Sequence, residues 1–457
     1  MNAVTVIATD LLTPLGAYLR LRGEAGSFLL ESVSQGRLGR YSFVGCGARL
    51  VTIDEAEALD EPVVGYLAYD HAGRLEPTVP LPDAGRDLPE SRFLVAHTLV
   101  RFDHARGMAE VLRGDPEELG DRLDAPLPSL PNGGGTAGPM RRFPSRLEYE
   151  RSVVRAKELI RAGDAFQIVL SQRAERRTSA SPLAIYRALR RVNPSPYLFL
   201  LELNGIALVG SSPETLVKGE GERASVNPIA GTTRAGPGDA ERLLSSEKER
   251  AEHVMLVDLG RNDLSRVCRP GTVRVEKFLE PERYSHVTHL VSEVAGELEP
   301  GVRPFDLLRA CFPAGTVSGA PKVRAMQIIS ELEAWRRGPY AGAVGYVLPD
   351  GTLDTCIAIR TIVLLDGLAL LQAGAGIVAA SQPLAEHEEC LRKLAALEAA
   401  IDRAEAAAEP GSARLEPTPA REARRSNDGG HRQLRLVHVQ PRPPLRGAGS
   451  GGDGAEK

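Results

Sequence analysis

The feature that most constrains the fold is a series of three predicted strands toward the C-terminal end of the chain. Apolar and β-branched residues fill segments 340–347, 353–364 and 368–373, and the turn signals Pro349-Asp350-Gly351 and Asp366-Gly367 separate them. Short hairpin turns make successive strands antiparallel neighbours, so these segments predict a β-meander. The meander ends in Gly374-Ala375-Gly376 and leads into a predicted helix.

The end of this meander is predicted to bind an anion. Gly374 and Gly376 let a ligand approach the backbone closely, and the amide groups around Ala375 can point at a carboxylate. Arg360, on the predicted middle strand, carries a planar fork that binds a carboxylate through two hydrogen bonds. The alternative at this point is that the glycines only form a turn.

The helix that follows is predicted to present two carboxylates beside this anion site. Glu386, Glu389 and Lys393 are spaced at i, i+3 and i+7, which places them on one helical face. Like charges near an anion are unfavourable unless a cation lies between them, and Mg²⁺ is commonly held by one or two carboxylates. Either this face helps to hold a magnesium ion, or Glu389 pairs with Lys393 on a solvated surface.

The remaining hydrophobic patterns predict an α+β fold with large, mostly antiparallel β-sheets and flanking helices. Predicted strands cluster in hairpins, whereas predicted helices come singly or in pairs without βαβ alternation. Strands and hairpins are predicted at 27–51, 92–113, 166–176, 197–203, 206–210 and 214–218. Helices are predicted at 147–162, at 239–259 and from Ser318 to Gly338.

Composition and charge exclude several classes of protein. A formal net charge of −4 gives no electrostatic case for nucleic acid as a partner. The five cysteines stand singly without metal-ligand spacing, which indicates a reducing compartment, and we expect the cytoplasm. The N-terminal residues lack an export signal, and the longest apolar stretch, 197–203, is interrupted by Glu202. We therefore expect neither export nor membrane insertion.

Two changes in composition divide the chain. Prolines and Gly133-Gly134-Gly135 make 126–144 a predicted linker between an N-terminal region, 1–125, and a larger region, 145–405. The last residues, 406–457, are rich in proline, arginine and glycine. They hold too few apolar residues to offset the entropy of ordering, so we expect a disordered tail.

Three further segments carry groups that suit a small anionic ligand. Glu214 follows a predicted strand, and Gly231-Thr232 supplies a turn with a hydroxyl. Glu252 has apolar neighbours, and a carboxylate in such surroundings must be paired, protonated or metal-bound; a salt bridge with a basic neighbour is the alternative. His289 lies in a short apolar run, where a structural histidine is the ordinary explanation.

Five blocks of sequence, taken in order, resemble those of a known family. The blocks are PIAGT (228–232), AEHVMLVDL (251–259), RNDL (261–264), GTVSGAPK (315–322) and DTCIAIR (354–360). The chain resembles the chorismate-utilising enzymes over about residues 145–405, and specifically anthranilate synthase component I. The resemblance implies the chorismate-binding enzyme fold.

The resemblance also implies a reaction and a set of site residues. Chorismate and ammonia would be converted to anthranilate and pyruvate, with Mg²⁺ as cofactor held by Glu252 and Glu389. Glu214 would be the acid near the leaving hydroxyl, and His289 the histidine associated with pyruvate release. The implied chorismate contacts are Gly231, Thr232, Tyr346, Arg360, Gly374, Ala375 and Gly376. Since chorismate carries two carboxylates, its binding beside glutamates requires a divalent cation.

Two positions separate the chain from sister enzymes. Isochorismate- and salicylate-forming relatives carry a water-activating lysine where Gln167 stands, and aminodeoxychorismate synthases carry a nucleophilic lysine where Ala230 stands. We therefore expect direct attack by ammonia. Because no cysteine stands in a nucleophile elbow, we expect a separate glutamine amidotransferase subunit to supply the ammonia. Isochorismate, salicylate or aminodeoxychorismate formation, and a non-catalytic regulator that binds chorismate or tryptophan, are the alternatives.

Segments 29–32, 39–43 and 193–199 resemble the tryptophan-binding elements of the family. This implies a regulatory N-terminal region and feedback inhibition by L-tryptophan; a core hairpin and a Pro-rich turn are the alternative. The implied tryptophan contacts are Ser32, Pro196, Tyr197 and Leu198.

The chain also departs from the family pattern. The stretch between Val51 and Gly65 is short, and Thr233, Ala380 and Arg392 stand where an arginine, an aspartate and an asparagine are common. These departures bear on metal affinity and turnover rather than on the type of reaction.

Overall fold

The computed structural model describes residues 6–9, 11–23, 25–32, 40–128, 138–234, 236–283 and 287–406. Gly39, residues 129–137 of the predicted linker and the predicted tail beyond Ala406 lie outside these residues. The helices are α1 (Pro14–Leu21), α2 (Ile53–Glu57), α3 (Ala72–Leu75), α4 (Pro116–Asp124), α5 (Arg146–Arg161), α6 (Pro182–Val192), α7 (Asp239–Ser245), α8 (Glu247–Ser265), α9 (Pro304–Cys311), α10 (Gly315–Ser318), α11 (Lys322–Leu332) and α12 (Pro383–Ala406), with a 3-10 turn at Tyr69–His71. No helix in this part of the chain is both long and apolar enough to cross a membrane.

The strands of the described residues form two antiparallel sheets. They are β1 (Val6–Ala8), β2 (Gly26–Glu31), β3 (Tyr41–Cys46), β4 (Arg49–Val51), β5 (Val63–Leu67), β6 (Ser91–Val95), β7 (Thr98–Asp103), β8 (Met108–Arg113), β9 (Arg141–Phe143), β10 (Gln167–Arg177), β11 (Tyr197–Leu203), β12 (Ile206–Ser212), β13 (Thr215–Glu220), β14 (Arg223–Val226), β15 (Ile229–Arg234), β16 (Arg274–Arg283), β17 (Val287–Glu297), β18 (Gly319–Ala320), β19 (Ala343–Val347), β20 (Leu353–Ile357), β21 (Thr361–Leu365) and β22 (Leu368–Ile377). The first sheet has the order β1-β8-β7-β3-β2-β11-β12-β21-β22-β10-β18, with β9 also paired to β10. The second has the order β15-β17-β14-β13-β20-β19-β5-β6-β4, with β16 also paired to β17. The predicted α+β class with large antiparallel sheets and flanking helices is confirmed.

The two sheets pack face to face, and helices cover their outer faces. One apolar cluster, which includes Phe28, Phe199 and Tyr66, fills the space between the sheets. Helices α1, α4, α6 and α12 cover the first sheet, and α2 with α8 to α11 cover the second. The sequence of helix α12 explains why it packs on a sheet. Its buried residues recur every three or four positions and form one apolar stripe, while charged residues occupy the other faces of the helix.

Strands from the first 125 residues are part of both sheets. Strand β2 pairs with β11, where Phe28 lies opposite Leu201, and β5 pairs with β19, where Gly65 lies opposite Gly345. The last residues of the predicted linker also join a sheet, since β9 pairs with β10. The N-terminal region 1–125 and the region 145–405 therefore share the same two sheets. Their proposed division into a regulatory and a catalytic part stays a prediction.

The predicted meander is present, with one correction. The predicted strand 353–364 is two strands, because β20 belongs to the second sheet and β21 to the first. Arg360 therefore lies at the crossing between sheets rather than on a middle strand. The turn at Asp366-Gly367 has φ angles of 49° and 70°, as a tight hairpin turn requires.

Two predicted helices also differ from the structure. The helix predicted at 239–259 is α7 followed by α8, because the Ser246 hydroxyl accepts a hydrogen bond from the Glu249 amide (3.4 Å) and begins a new helix. The helix predicted from Ser318 begins only at Lys322, since Gly319 and Ala320 form the short strand β18.

Candidate active site

The candidate site lies where the chain passes twice between the two sheets. Between β12 and β13 the crossing carries Glu214, and between β20 and β21 it carries Arg360. The Ser211 amide donates a hydrogen bond to the Arg360 carbonyl (3.1 Å), and the Ile357 amide donates one to the Glu214 carbonyl (3.0 Å). The two crossings are therefore neighbours, and they bring an acid and a guanidinium to the same place.

Arg360 occupies a strained backbone conformation. Its φ of 52° is in the left-handed region, which costs a non-glycine residue on the order of 1–3 kcal/mol and is often found at functional sites. Burial lowers the pKa of Arg360, while Tyr340 and Glu389 oppose this effect. A half-buried guanidinium held in this way is a ready partner for a ligand carboxylate.

The glycines at the end of β22 are required for space. A methyl group at Gly374 would come within 2.7 Å of the Tyr340 hydroxyl, and one at Gly376 would overlap the Gln167 amide. Lys393 donates a hydrogen bond from Nζ to the Gly374 carbonyl (2.7 Å). Between the two glycines, Ala375 points the other way, into the apolar cluster under α5, α11 and α12. On the face of β22 that carries Gly374 and Gly376, the strand therefore presents only its backbone to the site.

The structure does not support Tyr346 as a substrate contact. Alternation along β19 turns Tyr346 toward the space between the sheets, where its ring centroid lies 4.4 Å from that of Phe43. Tyr340, which precedes the strand, instead places its hydroxyl against Gly374 and close to Arg360. Tyr340 is buried, and its position, missed by the sequence analysis, makes it the tyrosine of the candidate site.

Replacing Tyr340 with Phe should raise the KM for a carboxylate substrate by about tenfold, because a hydrogen bond to a charged group is lost. The matched variant Tyr346→Phe should leave this KM unchanged. Steady-state kinetics of both variants test the assignment. The reverse pattern, with only Tyr346→Phe affecting KM, would restore the original prediction.

Two helices bring acidic side chains to the site. On α8, Glu252 accepts a hydrogen bond from Gln167 Nε2 (3.4 Å), and Glu249, one turn earlier, has its carboxylate beside Gly231. On α12, Glu389 forms an ion pair with Lys393 at 2.8 Å. The predicted alternative for Glu389 is thus present, but Lys393 also bonds Gly374, so this pair belongs to the site rather than to a remote surface.

The residues present fit a magnesium ion. No group of three or more histidine, cysteine, aspartate or glutamate side chains converges on a metal position among the described residues. Glu252 is linked through Gln167 to the end of β22 at Gly376, and Glu389 through Lys393 to the same strand end at Gly374. Gln167 Oε1 is buried there without a hydrogen-bond partner. Two carboxylates, with open positions for water and ligand oxygens, are the donors that Mg²⁺ prefers.

Glu214 is suited to donate a proton. Its side chain lines a cavity that also includes Asp263, Thr316 and Ile357. Burial raises the pKa of Glu214 to about 8, and the Thr316 hydroxyl and the charge of Lys393 only partly oppose this shift. At pH 7 most of the Glu214 carboxyl therefore carries its proton.

His289 is suited to accept a proton. Burial lowers the pKa of His289, the nearby charge of Arg360 lowers it further, and a hydrogen bond from the ring to the backbone of Gly231 has the opposite effect. Gly231 sits at a bulge in β15 with a φ of 69°, and Thr232 lies opposite His289 in the pairing of β15 with β17. The imidazole is therefore neutral near pH 7 and oriented by the bulged strand.

The structure thus brings most predicted residues together. Lys393 contacts both Glu389 and Gly374, and charge interactions act between Lys393 and Glu214, between Glu389 and Arg360, and between Arg360 and His289. Helical spacing could have identified Glu249, which the sequence analysis left out, since Glu249 precedes Glu252 by three positions.

The residues predicted to bind tryptophan also lie together, at the start of β11. The Ser32 hydroxyl donates a hydrogen bond to the Pro196 carbonyl (2.7 Å), and the Tyr197 hydroxyl donates to Asp354 Oδ1 (3.1 Å). Leu198 differs, because its side chain is buried with the helix-covered face of the first sheet. Only its backbone is available to a ligand on the Tyr197 side.

Comparison with known proteins identifies the class of this fold and site. The model of the chorismate binding enzyme family matches residues 21–399, and the chain belongs to this family. Among its relatives, anthranilate synthase component 1 of Thermus thermophilus is 45% identical over 449 residues, covering 87% of this chain and 97% of the relative. The corresponding protein of Streptomyces coelicolor is 45% identical over 455 residues, covering 87% and 88%.

Solved structures agree with this classification. Anthranilate synthase component I from Streptococcus pneumoniae superposes with a TM-score of 0.72 at 33% identity, covering 87% of this chain and all of that one. MenF, the menaquinone-specific isochorismate synthase from Escherichia coli, gives 0.70 at 22% identity, which reports on the fold alone. The resemblance described from the sequence is confirmed.

Proposed function

We propose that this chain is the synthase subunit that converts chorismate and ammonia to anthranilate and pyruvate, the first step of tryptophan biosynthesis. The observation that carries the proposal is that the two neighbouring crossings bring Glu214 and Arg360 together, with His289 within the electrostatic influence of Arg360. The similarity to anthranilate synthase component 1 proteins supports it.

The site offers a partner for each charge of chorismate. Arg360 and the Tyr340 hydroxyl suit one carboxylate, and Lys393 with the backbone around Gly374 suits the other. Glu252 and Glu389 would hold Mg²⁺, which when bound neutralises their charge beside the dianionic substrate. Without a cation, these carboxylates would repel the ligand that the other residues attract.

Proton transfers then complete the reaction. Glu214 gives its proton to the C4 hydroxyl, which leaves as water while ammonia bonds to the ring at C2, and the new ammonium group returns one proton to the Glu214 carboxylate. His289 removes the C2 proton from the aminated ring, the bond between the ring and the enolpyruvyl oxygen breaks, and the released enolpyruvate takes up that proton at its methylene carbon to become pyruvate. The ring becomes aromatic in this second step, which supplies its driving force.

Two residues favour ammonia as the attacking group. Gln167 lies between Glu252 and Gly376, and an amide in that place is not a base that can activate water. Ala230 carries no amine that could form a covalent adduct with the ring. Formation of isochorismate, salicylate or aminodeoxychorismate is therefore less well supported than formation of anthranilate.

The ammonia would come from a separate glutamine amidotransferase subunit. All five cysteines of the chain are buried and free, and burial raises the pKa of Cys268, Cys311, Cys356 and Cys390. Such thiols are poor nucleophiles for glutamine hydrolysis. Their single, reduced state also supports a cytoplasmic location.

A fluorescence assay tests the reaction. Purified protein with chorismate, Mg²⁺ and ammonium should form fluorescent anthranilate, and glutamine should not replace ammonium until an amidotransferase subunit is added. A non-fluorescent product formed without ammonium would instead indicate isochorismate synthesis. Binding without turnover would indicate a regulator.

We also propose feedback inhibition by L-tryptophan at Ser32, Pro196, Tyr197 and the backbone of Leu198. Ser32→Ala removes a hydroxyl at this site and should raise the tryptophan concentration for half-inhibition by about tenfold, with basal activity unchanged. Ser265→Ala, an exposed serine on α8, is the matched control. If saturating tryptophan leaves wild-type activity unchanged, the assignment is wrong.

A further inference from the structure

A cavity lined by arginines lies beside Tyr340. Its walls include Arg86, Arg173, Arg336 and Arg337, together with Gln372. Tyr340 lines this cavity as well as contacting the candidate active site. Four guanidinium groups around one small space are electrostatically unfavourable unless negative charge is also present.

Two of these arginines already have acidic partners. Arg337 donates hydrogen bonds to both carboxylate oxygens of Glu333 (2.7 and 2.8 Å), and Arg86 pairs with Glu175 at 3.0 Å. Arg336 instead donates from Nε to the Pro82 carbonyl (2.8 Å), which carries no full charge. The cavity therefore keeps an excess of positive charge from Arg173 and Arg336.

Arg173 is the residue whose environment is hardest to explain without a ligand. It is only 9% exposed, its Nε is buried without a hydrogen-bond partner, and Glu175, the carboxylate whose charge acts on it, is already ion-paired with Arg86. Its guanidinium lies over the ring of Trp335, 4.7 Å from the ring centre. A buried charge whose counter-ion is shared with a second arginine is only partly compensated, and one cation–π contact makes up for only part of the remaining cost.

We propose that this cavity is a binding site for a small anion, held by Arg173 at its base and by Arg86 and Arg336 at its mouth. The cavity volume of about 20 Å³ is a little more than one water molecule requires, so the ligand is a halide or the end of a carboxylate or phosphate. Arg86 and Arg336 are exposed, which leaves an entry from solvent. The proposal is independent of the proposed reaction.

Trp335 makes the site directly measurable, because it is the single tryptophan of the chain. Iodide, a quenching anion, should quench its fluorescence with saturation when titrated at constant ionic strength with a bulky sulfonate as background anion. Arg173→Met keeps an unbranched side chain and removes its charge, so the saturable quenching should disappear. Arg155→Met, an exposed arginine on α5, is the matched control and should behave as wild type.

Three further measurements sharpen the test. Acrylamide, a neutral quencher, should act equally on wild type and Arg173→Met, which shows that the exposure of Trp335 has not changed. If Arg173→Met does not fold, Arg336→Gln replaces it, since Arg336 is exposed and its loss should weaken iodide binding by about tenfold. Caesium, a quenching cation, should show no saturable component in any variant.

Competition identifies the anion. Chloride, phosphate and pyruvate do not quench, so each should reverse iodide quenching according to its affinity. Stronger competition by pyruvate would assign the site to small carboxylates, and stronger competition by chloride or phosphate to inorganic anions. A linear iodide plot in wild type, identical to that of Arg173→Met, would overturn the proposal.

Discussion

Glu214→Gln should lower kcat by about 10²–10⁴-fold, because an amide cannot replace a carboxylic acid as the donor to the departing hydroxyl. The side chain keeps its size, so the cavity around Thr316 and Ile357 should stay filled. Chorismate binding should change much less, since the proposed carboxylate partners Arg360, Tyr340 and Lys393 are all retained. Glu220→Gln, an exposed residue on the next strand, is the matched control.

The same residue predicts the alkaline side of the pH profile. A carboxyl whose pKa is raised to about 8 is protonated below that pH and loses its proton as the pH rises through it. Wild-type activity should therefore fall above about pH 8 when measured at a fixed concentration of free ammonia. This decline should be missing from the residual activity of Glu214→Gln. A wild-type profile that stays flat to pH 9.5 would contradict the acid role.

Analysis of the reaction products distinguishes the proposed role of Glu214 from that of His289. Without the acid, the ring is not aminated, and chorismate should be recovered unchanged. Without the base, as in His289→Met, amination proceeds, and the aminated intermediate should accumulate while pyruvate release slows. Chromatography of the two reaction mixtures distinguishes the roles; normal anthranilate output from His289→Met would refute its role.

The sequence predicted the end of the meander well because the signals there are local. Hairpin turns, glycines and helical spacing act over a few residues, and they placed Gly374, Gly376 and Glu389 correctly on their elements. The crossing at Arg360 was missed because the apolar run from Leu353 to Leu364 is continuous, and nothing within it marks the change from one sheet to the other.

The choice between Tyr340 and Tyr346 shows a second limit. Both follow the same loop and both are aromatic, so the sequence does not show which one reaches a ligand. The direction of the Tyr346 side chain depends on the register of β19 against its two neighbours, β5 and β20. These two neighbours are almost 300 residues apart in the chain, so no local signal fixes the register. The contact of Gln167 with Glu252 also joins elements that are distant in the chain, in this case 85 residues apart.

Glu389→Gln should raise the Mg²⁺ concentration for half-maximal activity by about 100-fold or more. Loss of a residue that only hydrogen-bonds to a metal ligand typically weakens metal affinity by about 10–100-fold, and loss of the ligand itself should weaken it more. Glu252→Gln, on the opposite helix, should have the same effect. Glu388→Gln, which is exposed and faces Arg392, is the matched control on α12. Activity of chelator-treated protein, measured against added Mg²⁺ at saturating chorismate, gives the comparison.

Saturating chorismate is needed because Glu389 has a second role. Its loss also removes the ion pair of Lys393 and leaves the hydrogen bond of Lys393 to Gly374, so the KM for chorismate should change together with metal affinity. If Glu389→Gln retains full turnover at low magnesium, then Glu389 is not a magnesium ligand. It would then be only the ion-pair partner of Lys393, which is the alternative given in the sequence analysis.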